Sequence, residues 1–211
     1  MSTVTIIGTG NMARSVAVRA LAGGYRVQLL GHSSEKAQQL AADLASDAVT
    51  AGASGNPIDG DLVVLALWYD AALSVVRQYG DALAGKTIVD ITNPIDVSTF
   101  DGLVTPAGSS AAEEIAKAAP AGADVVKAFN TTFAGTLAPG QVAGQPLDVL
   151  VAADDAEAKQ AVLALVEAAG LRGIDAGPLR RARELEALGF LHMTLQESLG
   201  TNYASTVKLL G

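Results

Sequence analysis

Thr3-Val4-Thr5-Ile6-Ile7-Gly8-Thr9-Gly10-Asn11-Met12-Ala13, near the start of the chain, changes character at its centre. Thr3 to Ile7 reads as a short buried strand, and Met12 to Leu21 as a helix stopped by Gly23-Gly24. Between them lies a Gly-x-Gly-x-x-Ala turn at the first strand-to-helix junction. That context makes the turn a dinucleotide site. Gly8 permits the tight bend, Gly10 lets the backbone approach a pyrophosphate, and Ala13 lets helix and strand pack closely. Free N–H groups at the helix start face phosphate oxygens, with Thr9, Asn11 and Met12 completing the turn.

Outward from this junction the alternation continues. Strands are predicted at Arg26–Leu30, weakly at Ala48–Thr50, and at Leu62–Leu67, Thr87–Ile91, Asp124–Phe129, Leu147–Val151 and Gly173–Asp175. Helices are predicted at Ser34–Ala45, Tyr69–Tyr79, Ser110–Ala118 and Asp155–Ala169. Residues 93–108, with Pro94 and Pro106, read as a long loop of the kind that carries function. Strands alternating with helices imply parallel strands joined by right-handed crossovers. The fold class is therefore α/β, a doubly wound and mostly parallel Rossmann sheet, with a small C-terminal helical part. Residues 1–179 form the nucleotide-binding domain, and 180–211 a helical segment that completes the second-substrate site, a dimer interface, or both. In that segment Leu185, Leu188, Leu191, Leu195 and Leu199 make one apolar stripe that must bury against its own domain or a second subunit.

Bulk composition narrows the function classes. Across 211 residues, 50% are hydrophobic and only 4% aromatic, so Ala, Val and Leu build the core, which suits helices packed on both faces of a sheet. A formal net charge of -8 argues against nucleic acid as a partner. There is no cysteine, and His32 and His192 are the two histidines, so neither a thiolate nor a histidine-rich metal site is expected. The start Met1-Ser2-Thr3 has no basic lead into its apolar run, and no uninterrupted apolar stretch reaches membrane-spanning length, so a cytoplasmic protein is expected.

The second strand runs into Gly31-His32-Ser33-Ser34-Glu35-Lys36. An NAD site normally places a carboxylate at this strand end to hold the ribose 2′-hydroxyl. Here the first acid is Glu35, while His32, Ser33, Ser34 and Lys36 suit a 2′-phosphate, so NADP(H) is the expected cofactor. Ser33 or Ser34 also suits a helix N-cap.

Several stretches together resemble the NADPH-dependent coenzyme F420 reductases, and are similar to the NADPH-binding domain of the STEAP ferric reductases. They are Ile7-Gly8-Thr9-Gly10-Asn11-Met12, Gly31 to Ala37, Asp90-Ile91-Thr92-Asn93-Pro94, Ser109 to Glu113, Val125 to Thr131, and Asp175-Ala176-Gly177-Pro178-Leu179 leading into Ala182 to Glu186. They span nearly the whole chain in order. The resemblance implies a homodimer carrying hydride between C4 of nicotinamide and C5 of a deazaflavin, with coenzyme F420 as co-substrate. Two departures weigh on the second substrate. Leu67-Trp68-Tyr69 stands where the family often has a proline, and Asn130 to Gly135 lacks the histidine of the archaeal enzymes.

Direct hydride transfer needs no nucleophile, metal or acid–base pair, only two rings held close and shielded from water. No catalytic side chain and no metal ligand are therefore assigned. Ligands in open α/β sheets sit at the carboxyl ends of strands. Ala66, Leu67 and Trp68 are placed against the cofactor, Trp68 being equally suited to a surface contact. Asn93, before Pro94, is placed at the nicotinamide carboxamide, and Pro94 and Ala128 are also assigned to the cofactor. Phe129, Asn130, Thr131 and Thr132 face the second ring, with donors for its anionic reduced form. Pro178, Leu179 and Arg183 complete that site: Arg180, Arg181 and Arg183 at a helix start either meet an anion or pair internally, Arg180 with Glu184. His192 reads as a helix-surface or interface residue and Asp154-Asp155 as a cap. Two other classes remain: an NADPH reductase of another acceptor (flavin, ferric-flavin, quinone or imine), and a dinucleotide-binding sensor without turnover.

Overall fold

The structure, a computed structural model, describes residues 2–210; Met1 and Gly211, the outer ends of the two predicted segments, lie outside the described residues. The chain runs β1 (Thr3–Ile7), α1 (Asn11–Ala22), β2 (Arg26–Gly31), α2 (Ser34–Leu44), β3 (Val49–Ala53), β4 (Leu62–Leu65), α3 (Tyr69–Tyr79) and β5 (Thr87–Asp90). It continues through α4 (Ala111–Ala118), β6 (Asp124–Lys127), the single turn α5 (Ala134–Leu137), β7 (Gln141–Val142), β8 (Gln145–Pro146), β9 (Asp148–Ala153), α6 (Ala156–Ala168), β10 (Arg172–Gly177) and α7 (Ala182–Leu199).

Eight strands form one sheet in the order β10-β9-β6-β5-β4-β1-β2-β3. The six from β3 to β6 are parallel, in doubly wound order. Period-two alternation splits each strand between two helical layers. Val4, Ile6, Val64, Val89 and Val126 pack under α1, α2 and α6, whereas Ile7, Val63, Leu65 and Ile88 pack under α3 and α4. Ala13, Ala17 and Ala20 are fully buried on α1, and their small size lets that helix lie close to the sheet.

The sheet is mostly parallel, as expected, and the exception lies at one edge. β9 runs antiparallel to β6, and β10 follows β9 in parallel, so the last two strands are inverted. A crossover to a parallel neighbour needs a connection long enough to recross the sheet. Between β6 and β9 the chain offers only the turn α5 and the β7–β8 hairpin, so it re-enters from the same end. All six residues of β9 are buried, and such a run shows depth without direction.

The C-terminal segment corrects one expectation, that it is helical throughout. α7 is preceded by a 3₁₀ turn at Leu179–Arg181 and ends at Leu199, so residues 200–210 are not helical. Only the first part of the leucine stripe buries against this domain, through Leu185 with Leu188 packed beside it. Ala182, Leu185, Glu186, Gly189, His192 and Gln196 are buried, while Leu191, Leu195 and Leu199 are exposed. The tail is tied back by polar groups: Gln196 Oε1 accepts from Thr201 Oγ1 (2.6 Å), the Tyr203 amide (3.1 Å) and Ser205 Oγ (3.0 Å). Asp148, nearly inaccessible, accepts from Lys208 Nζ at 2.7 Å and the Leu209 amide at 2.8 Å. Burial pushes the Asp148 carboxyl up, but the donors from Lys208, Leu209 and Arg172 outweigh it and hold it below the ordinary range.

Candidate functional site

The glycine turn is built as tightly as its residues imply. Gly8 has φ +131°, and its amide donates to the Leu30 carbonyl at 2.8 Å. A Cβ there would stand 2.2 Å from the Ala66 carbonyl oxygen, so the β1 and β4 ends meet only because residue 8 is glycine. Gly10 is different: its φ is -83°, and an added Cβ would meet nothing within 4 Å. Gly10 is also the N-cap of α1, which has no side-chain cap and no acid in its first turn. The first amides of α1 therefore keep their donors free beside open space, the condition for holding an anion.

That space is a groove of about 620 Å³ at the carboxyl ends of the parallel strands. Thr9, Gly10, Asn11 and Met12 line it from the turn, and Ala66, Leu67 and Trp68 from the end of β4. Asn93, Phe129, Asn130 and Thr132 line its far side, beyond β5 and β6. Trp68 is 65% exposed at the rim. Phe129 is buried with φ +59°, a left-handed conformation unusual for a large side chain, in the turn that leaves β6. Several groove residues escaped the sequence reading: Ala71, Ile91, Thr92, Phe133, Met193 and Tyr203. Phe133 stacks on His192 at 4.3 Å and meets Tyr203 edge-on at 5.0 Å, which fixes the wall supplied by the C-terminal segment.

Other predicted residues fall elsewhere. Gly31 abuts the glycine turn, since a Cβ on it would lie 2.7 Å from Thr9 Cγ2, so the β2 rim and the phosphate turn are neighbours. His32 and Lys36 are exposed there and Ser34 half-buried. Ser33 is the N-cap of α2, its Oγ accepting from the Lys36 amide at 3.3 Å and donating to Glu35 at 3.0 Å. Pro94, Ala128 and Thr131 are buried outside the groove lining. Pro178 is exposed away from it, and Leu179 packs in the core under α3 and α4. Arg183 is held by Glu113 through two hydrogen bonds, 2.8 and 2.6 Å, and Arg181 rather than Arg180 pairs with Glu184, at 2.9 Å. Internal pairing is thus what the structure shows for these two arginines. His192 is buried rather than on the surface, its Nε2 2.9 Å from Ser205 Oγ, and burial pushes its pKa below the ordinary 6.5. Asp155 caps α6, accepting from the Ala158 amide at 2.8 Å.

Beneath the groove lies a charge cluster that the sequence reading missed. Lys127 is fully buried, and its Nζ donates to Asp90 Oδ2 (2.8 Å), the Thr92 carbonyl (2.6 Å) and Glu186 Oε1 (2.8 Å). Glu186 in turn accepts from the Ala111 and Ala112 amides, at 2.9 and 3.3 Å, at the start of α4. Burial pushes the Glu186 carboxyl up while Lys127 pulls it down, and burial prevails. The signal was present as a lysine inside the apolar strand Val125-Val126-Lys127-Ala128, a placement that demands partners. Above the cluster, Asn93 Nδ2 donates to the Asn130 carbonyl at 2.8 Å and Asn130 Nδ2 donates to Asn93 Oδ1 at 2.9 Å and to the Leu185 carbonyl at 2.8 Å. Gly189 makes room for this pair: a Cβ on it would lie 2.6 Å from Asn93 Oδ1. Asn130 therefore spends its donors internally and offers none to an anionic ring.

The parallel strand order, the glycine turn at the first junction and the groove at the strand ends define the Rossmann class of nucleotide-binding folds. Residues 3–94 match the family of coenzyme F420-dependent NADP oxidoreductases. The F420-dependent NADP reductase of Methanocaldococcus jannaschii is 30% identical over 196 residues, 86% of this chain and 86% of that protein. The chain belongs to the F420-dependent NADP reductase family. Metalloreductase STEAP3 of Rattus norvegicus is 32% identical over 185 residues, 88% of this chain but 36% of that protein, so the chain spans about a third of that relative. The crystal structure of a candidate F420-dependent NADP reductase from Arthrobacter sp. FB24 superposes with a TM-score of 0.87 at 28% identity, over 99% of both chains. Among the described residues no helix is long and apolar enough to cross a membrane.

Proposed function

We propose that the chain transfers hydride directly between C4 of NADP(H) and C5 of the deazaflavin coenzyme F420. The observation that carries this reading is the uncapped, acid-free start of α1 opening on the groove, next to Gly10, whose missing side chain no protein atom requires. A pyrophosphate on those amides sets the adenine end beside His32, Ser34 and Lys36 at the β2 rim. The nicotinamide end then runs past Ala66, Leu67 and Trp68 toward Thr92 and Phe129. The deazaflavin stacks on it from the side of Phe133, Met193 and Tyr203, so residues 1–179 carry the cofactor and 180–211 complete the second-substrate site. In the forward step the C4–H bond of NADPH breaks, a C5–H bond forms on the deazaflavin, and one solvent proton completes F420H2. The chain's part is to align and dehydrate the rings.

Mixing the protein with NADPH and oxidised F420 tests the reading. The expected outcome is loss of deazaflavin absorbance matched one-to-one by NADPH oxidation. The similarity to metalloreductase STEAP3 supports a second reading, an NADPH reductase of another acceptor such as a flavin. Turnover with FMN but not F420 selects it, and NADPH binding without turnover of either acceptor selects a sensor. The exposed Leu191, Leu195 and Leu199 support a homodimer, to be checked by light scattering, and the reading places the enzyme in the cytoplasm.

A further inference from the structure

The two sides of the groove differ in charge. On the cofactor side, the free amides of α1 and the exposed His32 and Lys36 at the β2 rim suit phosphates. The far side is built otherwise. A cavity of about 690 Å³ adjoins the groove there and shares Met193 and Tyr203 with it; Phe100 and Glu197 line it further out. A smaller cavity, about 290 Å³, shares Trp68 and Asn93 with the groove and is lined by Asp70. Among the described residues that line the groove and these two cavities, Glu197 and Asp70 are the charged ones, and both are anions. Asp96 and Asp101 add carboxylates to the loop that carries Phe100, and donors from Ser98 and Thr99 hold the Asp96 carboxyl down at about 2. Arg180, Arg181 and Arg183 stand at the opposite end of α7, about 20 Å or more along the helix from Glu197. Lys208 and Arg172 are committed to Asp148.

Coenzyme F420 joins its deazaflavin ring to a ribityl chain, a phosphodiester and a run of glutamates, so its tail is a polyanion. A ring stacked on the nicotinamide from the side of Met193 and Tyr203 cannot send that tail along the groove, which the cofactor takes up in the reading above. Its way out passes the cavity lined by Glu197. We propose that Glu197 is a specificity-determining residue: the site reads the acceptor by its ring and ribityl chain, and Glu197 disfavours an anionic tail, so that the deazaflavin nucleoside is the better substrate. Glu197 is exposed, so the repulsion acts through solvent, is modest, and is screened by salt. The inference rests on the F420 reading and narrows it to the uncharged members of that substrate class.

Steady-state turnover of the full chain with NADPH tests this, comparing oxidised F420 with its nucleoside, which keeps the ring and ribityl chain and lacks phosphate and glutamates. At about 10 mM salt, where the Debye length is about 30 Å, kcat/KM should be about threefold higher for the nucleoside, with the difference in KM. Raising salt to about 1 M should bring the two substrates together. Glu197→Gln should remove most of the preference and Glu197→Lys should reverse it, again through KM. A residue that merely supported the fold would shift both substrates alike. Equal values at low salt, or a preference for F420, in the unmodified protein overturn the proposal. So does a ratio that neither salt nor Glu197→Lys moves. If neither deazaflavin is reduced, it is the F420 reading that fails, and the proposal falls with it.

Discussion

The two ends of the groove are made in opposite ways. At the phosphate end, residues 8–13 do nearly everything within one turn: a glycine that clears the Ala66 carbonyl, a glycine facing open space, and a helix start with spare donors. At the ring end, the wall is assembled from residues 90–93, 127–133 and 185–203, brought together by charges and amides buried beneath it. The first is a local device whose geometry follows from backbone conformation. The second has no local signature, and its precision depends on groups paired 37 to 59 residues apart.

The sharpest way to break the ring end alone is Lys127→Met. It strips the cation from two buried carboxylates, and breaking such a cluster costs about 3–5 kcal/mol. Urea unfolding should show that loss, and whatever folded protein remains should keep 2′,5′-ADP affinity better than turnover. Gly8→Ala breaks the phosphate end. Its Cβ displaces the Ala66 backbone in a region of φ that disfavours alanine, at about 1–3 kcal/mol in stability. A displacement of about 1 Å at a positioning element costs on the order of a hundredfold in rate, so turnover with NADPH should fall by that factor and NADPH binding measured by fluorescence should weaken with it.

Gly189→Ala separates the two ends more finely. The new methyl would stand 2.6 Å from Asn93 Oδ1 and 3.0 Å from the Asn130 main-chain oxygen, so the amide pair shifts and stability falls by about 1–3 kcal/mol. Turnover should drop while 2′,5′-ADP affinity stays unchanged; an equal loss of both would mean that the ends are not independent. The smallest effect concerns His192. Its folded pKa lies below the ordinary 6.5, so the unfolded chain takes up the proton first as pH falls. Its neutral burial therefore costs nothing at neutral pH and destabilises progressively from about pH 6.5 down to the folded pKa. The melting temperature should decline over that window, and His192→Gln should flatten the difference.

The legibility of the site follows the same division. Gly8 to Ala13 could be read because a strand, a turn and a helix start are short-range patterns. Lys127 and Glu186 sat within stretches that carried the family resemblance, yet their pairing was invisible because nothing local joins residue 127 to residue 186. The leucine stripe of α7 was legible only in part, for a related reason. Periodicity shows which residues share a face, but Gly189, His192 and Gln196 face inward because the groove wall needs a close approach and hydrogen bonds there. The arginines at the start of that segment had charge but no visible partner, and Glu113 lies seventy residues away.

By itself, the order of apolar runs and turn formers determined the doubly wound sheet, the phosphate turn and the nucleotide-binding class, since each depends on backbone preferences over a few residues. Only the tertiary structure decided the inverted β9–β10 edge and the buried charge cluster. Strand direction, charge pairing and hydrogen-bond satisfaction depend on what comes to lie opposite a residue in space, and that is set by the packing of the whole chain.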